Sequence, residues 1–572
     1  MGNVDHIQHA KPTTKDPDIG SPGQNETSGS EAEQVLSLNQ ECDDVSPPTL
    51  QTPTSQNCPR LKAPATPGYT SPVICQILGQ SLDTLLSNTQ LQMDFFTQTI
   101  CKSLTAFDSK HNAFKRVAVS RTKESLLFFS LTRYITAAFL NSSALDSTSA
   151  LVVQTAQTEI LYRLHSEVAQ LALQTRANIE DVLMVIIMFG LTTNWDGSNS
   201  PSILHYNAAV RLYLHTYGNS TPHSPQNDHQ ELFLPSLVYW WMGLAFVTDT
   251  SKECLLDPPP LETSIRNGTE TVNFAKRIPH PLAGVSPEVQ KLLGRVGSLT
   301  YGQRLSCREK SFTSMIVLYK EYNSLQRAQN LEEEALSLKL PKADEFIDSD
   351  DMMTPIQDLI NTAEVYRFAA LILLYQAFPD LLSRRLRLDE DDLDGDQSSK
   401  ERRLLWVTAL AIQALKVLCQ NTPGSGTRSI EQILLVIIGG ALLNRTCSQT
   451  SYMREESDRS TLERSIAGLG PPSLPIRSAF NQHENLYDFS GHETLRNVID
   501  SSFGESSVSD CIAEARRTVC KRLQSIREIL PYRSLEIVQE LVFKTWDISD
   551  NDTPEVFWID IMIENGWSFL LV

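Results

Sequence analysis

The chain has 572 residues, of which 41% are hydrophobic and 20% charged, so it holds enough apolar material for roughly two to four domain-sized units. Its 68 acidic residues outnumber its 49 basic ones, and the formal net charge of −19 repels phosphate groups. These values exclude a fibrous or wholly disordered chain and argue against non-specific nucleic-acid binding.

The N-terminal part, residues 1–72, is rich in Ser, Thr, Pro, Gln and Asn and has almost no aromatic side chain before Tyr69. It offers too little apolar surface to offset the entropy lost on ordering, so it is predicted to be a disordered arm. The arm is interpreted as a spacer or, alternatively, as a carrier of phosphorylatable Ser/Thr-Pro sites. Residues 1–76 hold four basic and nine acidic residues, which excludes a basic DNA-reading arm.

Residues 73–572 show helical periodicity and no useful length of strand-like alternation, which predicts an all-α domain. Apolar residues from Leu151 to Leu171 recur on one helical face. Thr354–Gln357 is predicted to form a capping box that starts a helix running toward Tyr375. The stretch 363–377 is nearly all apolar and predicts a central buried helix. Further helices are predicted at 404–418, 429–443, 509–529 and 534–546.

Three interruptions of this pattern are predicted to be loops, near 196–235, 388–399 and 446–486. The second is acidic and lies between two basic clusters, Arg384-Arg385-x-Arg387 and Lys400-x-Arg402-Arg403. One interpretation is a bipartite nuclear import signal. The other, which we favour, is that the arginines complement a helix C-terminus beside a solvated loop.

The sequence contains no motif that predicts a membrane span, a metal site or a catalytic site. The longest apolar runs, near 181–191, 237–247 and 433–443, are too short to cross a bilayer. The ten cysteines are nowhere closer than nine positions, so no Cys-x2-Cys pair exists for a structural zinc site, and they are expected to be reduced thiols. His-Glu-x-x-His, Gly-x-Ser-x-Gly and Walker motifs are missing. No catalytic, cofactor-binding or metal residues are predicted, and the protein is not expected to be an enzyme.

Two weaker candidates have simpler explanations. Gly424-Ser-Gly-Thr-Arg428 looks like the start of a phosphate cradle, but it follows a predicted helix and no Lys-Ser/Thr comes after it. It is interpreted as a turn between helices, in which Gly424 ends one helix and Thr427 or Ser429 opens the next. His205 and His215 are ten positions apart and are expected to serve the core or the surface rather than to bind a ligand.

Several motifs in collinear order over about residues 90–572 resemble the fungal-specific transcription factor domain of binuclear zinc cluster transcription factors. The matching stretches are Phe107–Lys115, Asn194-Trp195 with His205–Ala209, Thr354-Pro355 with Ala363–Leu371, Gly424–Arg428 with Gln432 and Leu434, and Trp546, Trp558 and Trp567 near the end.

The resemblance implies an α-helical body that regulates transcription by RNA polymerase II in the nucleus. It implies protein partners, either a second copy or a zinc-cluster family member, and a small-molecule effector is a further candidate. The family's six-cysteine cluster is not found in this sequence, so direct DNA binding and zinc are not expected unless an in-frame cluster lies upstream of Met1. The alternative is a cytosolic ligand-binding or scaffold protein derived from that family.

Five of the matching residues have structural interpretations. The tryptophans Trp546, Trp558 and Trp567 are predicted to anchor the last helices in the core. Tyr366 and Arg367 are predicted to serve packing and an internal ion pair, the alternative being the lining of a ligand cavity.

Overall fold

The computed structural model describes residues 86, 88–143, 147–171, 176–196, 202–218, 228–250, 252–261, 276–309, 314–386, 396–443, 507–530, 532–551 and 556–568. The contacts divide the chain into two units, Met1–Ala63 and Pro64–Val572, and every described residue belongs to the second. The predicted disordered arm at 1–72 and the predicted loop at 446–486 lie outside the described residues. So do residues 388–395 of the loop predicted at 388–399, whereas residues 396–399 form the start of a helix, so that part of the prediction is wrong.

The described residues form a series of α-helices, which confirms the all-α prediction. They are α1 (Thr89–Phe95), α2 (Cys101–Leu104), α3 (Ala113–Glu124), α4 (Leu126–Ser143), α5 (Ser147–Ala169), α6 (Arg176–Leu191), α7 (Ile203–Tyr217), α8 (Asp228–Ala245), α9 (Pro287–Glu309), α10 (Met315–Ser337), α11 (Ile356–Ala377), α12 (Pro379–Leu386), α13 (Asp396–Leu418), α14 (Gln432–Ala441), α15 (Val508–Ile526), α16 (Tyr532–Asn551) and α17 (Trp558–Glu564). A π-helical turn, Phe96–Ile100, joins α1 to α2. Within the described ranges, β-type pairing is limited to two isolated bridges.

Helix α11 lies at the centre of the core, as predicted. Every residue from Val365 to Tyr375 is buried, and the helix packs against α9, α13 and α14. The predicted capping box is wrong, because Pro355 is the N-cap and no side chain caps the helix. The Thr354 hydroxyl instead accepts a hydrogen bond from the backbone N–H of Gly426 (2.9 Å). Thr354 therefore binds a distant backbone group, Gly426, in place of the N–H groups at the start of its own helix. A local sequence pattern does not reveal such a contact.

The loop predicted near 196–235 differs from the structure, which places α7 and the start of α8 in it. Tyr206, Val210 and Tyr213 recur at three- and four-residue spacing and are buried, so α7 is an amphipathic helix despite its polar flanks. Pro235 lies inside α8. Burial of the apolar residues that follow it in α8 outweighs the cost of about 3 kcal/mol for proline in a helix interior.

Glycine lets tryptophan rings pack directly on helix backbones, as at Gly190 and Gly440. A Cβ at Gly190 in α6 would lie 2.0 Å from a ring carbon of Trp240, and a Cβ at Gly440 in α14 would lie 2.4 Å from a ring carbon of Trp558. Both tryptophans are fully buried. At Gly302 in α9, by contrast, a Cβ would meet no atom within 4 Å. The first two glycines are therefore required by close packing, and the third is not.

The last helices are held in the core by tryptophan, as predicted for Trp546 and Trp558. The indole N–H of Trp546 donates to the Gly439 carbonyl (2.8 Å), and Trp558 lies beside Phe246, with 6.0 Å between ring centroids. Trp567 is only half-buried, and the Lys544 ammonium lies 5.5 Å from its ring centroid.

His280 is a buried histidine that ties α8 to the segment before α9. Its Nε2 lies 2.9 Å from the Leu232 carbonyl, and its Nδ1 accepts hydrogen bonds from the N–H groups of Leu282 (3.1 Å) and Ala283 (2.8 Å). An acceptor at Nδ1 requires the neutral ring, with the proton on Nε2. Burial lowers the pKa of His280 to about 4, which keeps it neutral.

No single described helix is long and apolar enough to cross a membrane. Among the described helices, α11 and α12 have the length and apolar composition of a membrane span when they are taken together, but the pair is bent by 100°. Most residues of α11, together with Leu381 and Leu382 of α12, are buried in the core.

Candidate functional site

Three stretches that are far apart in sequence meet beside α15. We call this region the motif junction and define it as residues 105–115, 350–362 and 421–431 together with Arg522. It brings together three of the motifs singled out in the sequence, those around Asn112, Thr354 and Gly426. The sequence did not predict that they touch.

Asn112 organises the first stretch. Its Oδ1 accepts from the N–H of Lys115 (3.0 Å) and so caps α3. Its Nδ2 donates to the Phe107 carbonyl (2.8 Å) and to the Thr105 hydroxyl (3.0 Å). Because Asn112 is buried and uses both ends of its amide, it fixes the backbone that leads into α3.

The second stretch is bound to the first through two aspartates. The N–H of Asp108 donates to the Asp351 carboxylate (2.9 Å). Asp350, which has a positive φ of 55°, accepts from Lys110 (2.7 Å) and lies 3.1 Å from His111 Nε2. The hydrogen bond from Lys110, with its charge and that of His111, lowers the pKa of Asp350. The left-handed backbone at Asp350 thus places its ionised carboxylate within hydrogen-bond distance of Lys110 and His111.

The third stretch is a turn between helices, as predicted, but Gly424 does not end the preceding helix, because α13 already ends at Leu418. Gly424 has a φ of 87°, and a short 3₁₀-helix, Gly426–Ile430, follows with Ser425 as its N-cap. The capping residue is therefore Ser425 rather than Thr427 or Ser429. A Cβ at Gly426 would lie 2.5 Å from the Ala106 carbonyl oxygen, so only glycine allows the turn to approach the first stretch. Since its N–H is already bound by Thr354, Gly426 does not offer that group to a phosphate.

A buried ion pair connects the turn to α15. The Glu431 side chain is fully buried and receives three hydrogen bonds of 2.7–3.0 Å from the Arg522 guanidinium. The Thr427 hydroxyl donates to the same carboxylate (2.9 Å). Burial alone would lower the pKa of Arg522, but the charge of Glu431 and its hydrogen bonds raise it. Arg428 adds a bond to the Ser525 carbonyl (3.0 Å) in α15.

Buried amides and hydroxyls complete the junction. Asn421 Nδ2 donates to the hydroxyls of Thr362 (3.1 Å) and Thr427 (3.2 Å), and its Oδ1 accepts from Asn361 (3.2 Å). The Asp358 carboxylate accepts from the N–H of Thr422 (3.0 Å). These groups bind one another, so the junction is suited to holding helices in register rather than to catalysis.

Tyr366 and Arg367 have the structural roles predicted for them. The Tyr366 hydroxyl donates to the Ile430 carbonyl (2.7 Å). Arg367 donates to the Leu338 carbonyl (2.9 Å) and to Glu364 in the same helix (2.6 and 2.7 Å). Packing and an internal ion pair therefore account for both residues.

The two histidines lie apart from the junction. His205 is half-buried with its ring centroid 5.4 Å from that of Phe189, and burial lowers its pKa. His215 is exposed. In the part of the chain that the structure describes, no group of three or more His, Cys, Asp or Glu side chains could hold a metal ion.

A cavity of about 310 Å³ lies between α3, α6 and α8, and its lining was not predicted from the sequence. It contains one guanidinium, Arg121, and three carboxylates, Glu124, Glu180 and Asp181. Arg121 is bound to Asp181 (2.7 Å from Nε) and to Glu124 (2.7 Å). Because the Arg121 guanidinium is already bound to two carboxylates, it is not available to an anion. The cavity therefore suits a neutral or cationic molecule better than an anion.

Comparison with known proteins identifies the family. A model of the fungal specific transcription factor domain matches residues 91–463, which include all three stretches of the motif junction. The helices α15–α17 lie beyond the matched region. Neither a curated protein nor a solved structure gives a match. The match covers well over half of the sequence, so the chain belongs to the family of the fungal specific transcription factor domain, which is a family of transcription regulators and not of enzymes.

Proposed function

We propose that this chain regulates transcription by RNA polymerase II in the nucleus, through its helical domain and without binding DNA itself. The family match over residues 91–463 is the observation that carries the regulatory role. The net charge of −19 supports the second part, because an acidic surface is repelled by DNA phosphates.

The arginines of α15, the helix of the motif junction, support the same conclusion. Arg516 is bound to Asp550 (2.7 Å), Arg517 to Glu514 and Arg522 to the buried Glu431. A helix that reads DNA presents its basic side chains to phosphates and base edges. Arg516 and Arg522 are instead used within the chain, with 17% and 16% of their side chains exposed, whereas Arg517 is 65% exposed.

The basic cluster before residue 388 also has an internal role. Arg384 lies 3.4 Å from Glu332, and Arg385 is hydrogen-bonded to the same buried carboxylate. This supports the interpretation that these arginines serve the fold at the end of α12. Nuclear import is therefore not attributed to these arginines.

The partner that fits this role is a protein, either a second copy of the chain or a zinc-cluster transcription factor of the same family. Such a factor, rather than this chain, would contact the DNA and hold the zinc. The acidic helical body would then alter the activity of the DNA-bound factor.

A reporter assay tests the regulatory role. The full chain, fused to an unrelated DNA-binding module, is expected to change transcription from a reporter that carries the module's site. Arg522→Ala, which breaks the motif junction, should weaken the effect, whereas Arg517→Ala on the exposed side of α15 should retain it. An unaltered reporter with the folded wild-type fusion would contradict the proposal.

DNA binding and location are measured separately. Fluorescence anisotropy with duplex DNA in about 150 mM salt should show no binding at micromolar protein, and metal analysis should find no zinc. Tight binding to the duplex, or stoichiometric zinc, would refute this part of the proposal. A tagged chain is expected in the nucleus, and its exclusion would favour a cytosolic ligand-binding or scaffold protein.

A further inference from the structure

The first two turns of α10 carry large apolar side chains in contact with solvent. Five of them are between 47% and 79% exposed, and we call this set the α10 patch: Met315, Ile316, Leu318, Tyr319 and Tyr322. Together they present about 700 Å² of accessible surface, whereas apolar patches of monomeric proteins rarely exceed a few hundred Å². A contiguous apolar group of this size marks a contact site.

Helix geometry shows that the patch faces away from the body. At about 100° per residue, its five side chains occupy an arc on one side of α10. The residues buried in the same helix, Ala328, Leu331 and Ala335, lie on the opposite side, which packs on α9 and α11. The patch is therefore presented to solvent by a helix that is itself anchored in the core.

Two basic side chains border the patch along one edge. Lys320 and Arg327 follow Ile316 on the same row of the helix, four and eleven residues further on, and both are exposed. Within the described ranges neither of them is bound to a carboxylate. Seven residues are about two turns, so the two residues are separated by about 10.5 Å along the helix axis. Glu321 lies on the other edge of the arc.

These charges discriminate between the possible occupants of the patch. A second copy of the chain fits poorly, because a two-fold axis would bring Lys320 and Arg327 of both copies together, where like charges repel. When one helix packs on another, charged residues beside the apolar contact select the partner. Two basic residues seven positions apart match a helix that carries carboxylates at the same spacing, since seven residues are one repeat of such a pair of helices.

We propose that the α10 patch binds an amphipathic helix of another protein. The apolar side of that helix packs on the patch, and Asp or Glu side chains seven residues apart on one edge pair with Lys320 and Arg327. The charge of −19 on the whole chain opposes an acidic partner at long range, but physiological salt screens charges beyond about 8 Å and leaves the contact pairs in place. This inference does not depend on the transcriptional role.

Fluorescence anisotropy with two labelled synthetic helices tests the proposal on the full chain. One peptide has Leu on its apolar side and Glu along one edge at seven-residue spacing, and the other has Lys in place of each of those Glu residues. Lys320→Glu/Arg327→Glu should weaken binding of the Glu peptide at least tenfold and strengthen binding of the Lys peptide. Leu318→Ala/Tyr322→Ala, which removes apolar contact area, should weaken binding of both.

A matched control separates the edge of the patch from the overall charge of the protein. Arg116 and Lys123 are also exposed and seven positions apart, but they lie on α3. Arg116→Glu/Lys123→Glu changes the net charge by the same amount as the patch variant and should leave the affinity for both peptides unchanged. If the two charge-reversal variants weakened binding of the Glu peptide equally, the proposal would be wrong.

A measurement on the unaltered protein guards against misfolding of the variants. Met315 and Met352 are 79% and 94% exposed, and only Met315 lies in the α10 patch. The Glu peptide should slow oxidation of Met315 by hydroxyl radicals and leave the rate at Met352 unchanged. Failure to protect Met315 would overturn the proposal.

Two further results would assign the patch to a different occupant and so refute an acidic helix. Protection of Met315 that increases with protein concentration alone would indicate a second copy of the chain. Binding to phosphatidylserine vesicles that is lost in Leu318→Ala/Tyr322→Ala would indicate a membrane surface.

Discussion

Removal of Arg522 is expected to destabilise the motif junction strongly. Among the described residues, Arg522→Ala leaves the Glu431 carboxylate, which has no exposed surface, with the Thr427 hydroxyl as its hydrogen-bond donor. An unpaired buried charge of this kind costs about 3–5 kcal/mol, which corresponds to roughly a hundredfold to several thousandfold increase in local unfolding. Replacement of both charges, in Glu431→Gln/Arg522→Met, should recover most of that loss because no charge then remains buried.

The assay compares urea denaturation with hydrogen exchange of peptides from α15, because a chain of this length need not unfold in one step. Arg517→Ala is the control on the same helix. Its partner Glu514 is 56% exposed, so its loss should cost no more than about 0.5 kcal/mol. If Arg522→Ala and Arg517→Ala had equally small effects, or if the double variant were no more stable than Arg522→Ala, the argument from the buried charge would be refuted.

Three further stability predictions follow from single buried residues. Because the folded pKa of His280 lies near 4, below its ordinary 6.5, the unfolded chain binds the proton first, and stability should fall by up to about 3 kcal/mol as pH drops from 6.5 to 4. Denaturation midpoints against pH should show this slope in the wild type and lose it in His280→Gln. Gly190→Ala should cost about 1–3 kcal/mol because its Cβ would overlap a tryptophan ring, whereas Gly302→Ala in open space should gain about 0.5–1 kcal/mol. Thermal melts of the two variants check the opposite signs. Asn112→Ala should cost about 2 kcal/mol in urea denaturation, and Asn88→Ala, at the exposed cap of α1, about half as much or less.

Each of these has a clear contrary result. An unchanged pH slope in His280→Gln would mean that other groups titrate in that window. Stabilisation by Gly190→Ala would show that the ring it faces moves without cost. Equal losses at Asn112 and Asn88 would mean that the buried hydrogen bonds of Asn112 add nothing to its role as a cap.

Much of the helical architecture could be predicted from local pattern. The apolar run of α11 predicted a central buried helix, and the turn at Gly424–Arg428 followed from its glycines and its position after a helix. Such features depend on residues that are close in sequence, so propensity and periodicity report them. The same periodicity assigned Leu151 to the buried face of α5, but Leu151 is exposed and Val153 is buried instead.

The errors occurred where distant contacts outweigh local signals. Polar flanks and Pro235 predicted a loop, but burial of aromatic residues made α7 and α8 helical. Thr354 looked like a helix cap and binds Gly426 instead. Thr354 finds its partner 72 positions away, whereas α7 and α8 pack on helices adjacent in sequence; a single sequence shows neither contact.

Composition, charge and the ordered motifs by themselves determined the class of this protein, an acidic all-α member of a transcription factor family without a recognisable zinc or catalytic motif. Only the tertiary structure decided that three of those motifs meet at one junction, that Glu431 binds Arg522 across 91 positions, and that the first turns of α10 remain exposed. The physical reason is that helix propensity acts between neighbours within a turn or two, whereas buried charges and packed surfaces find their partners only when the chain has folded.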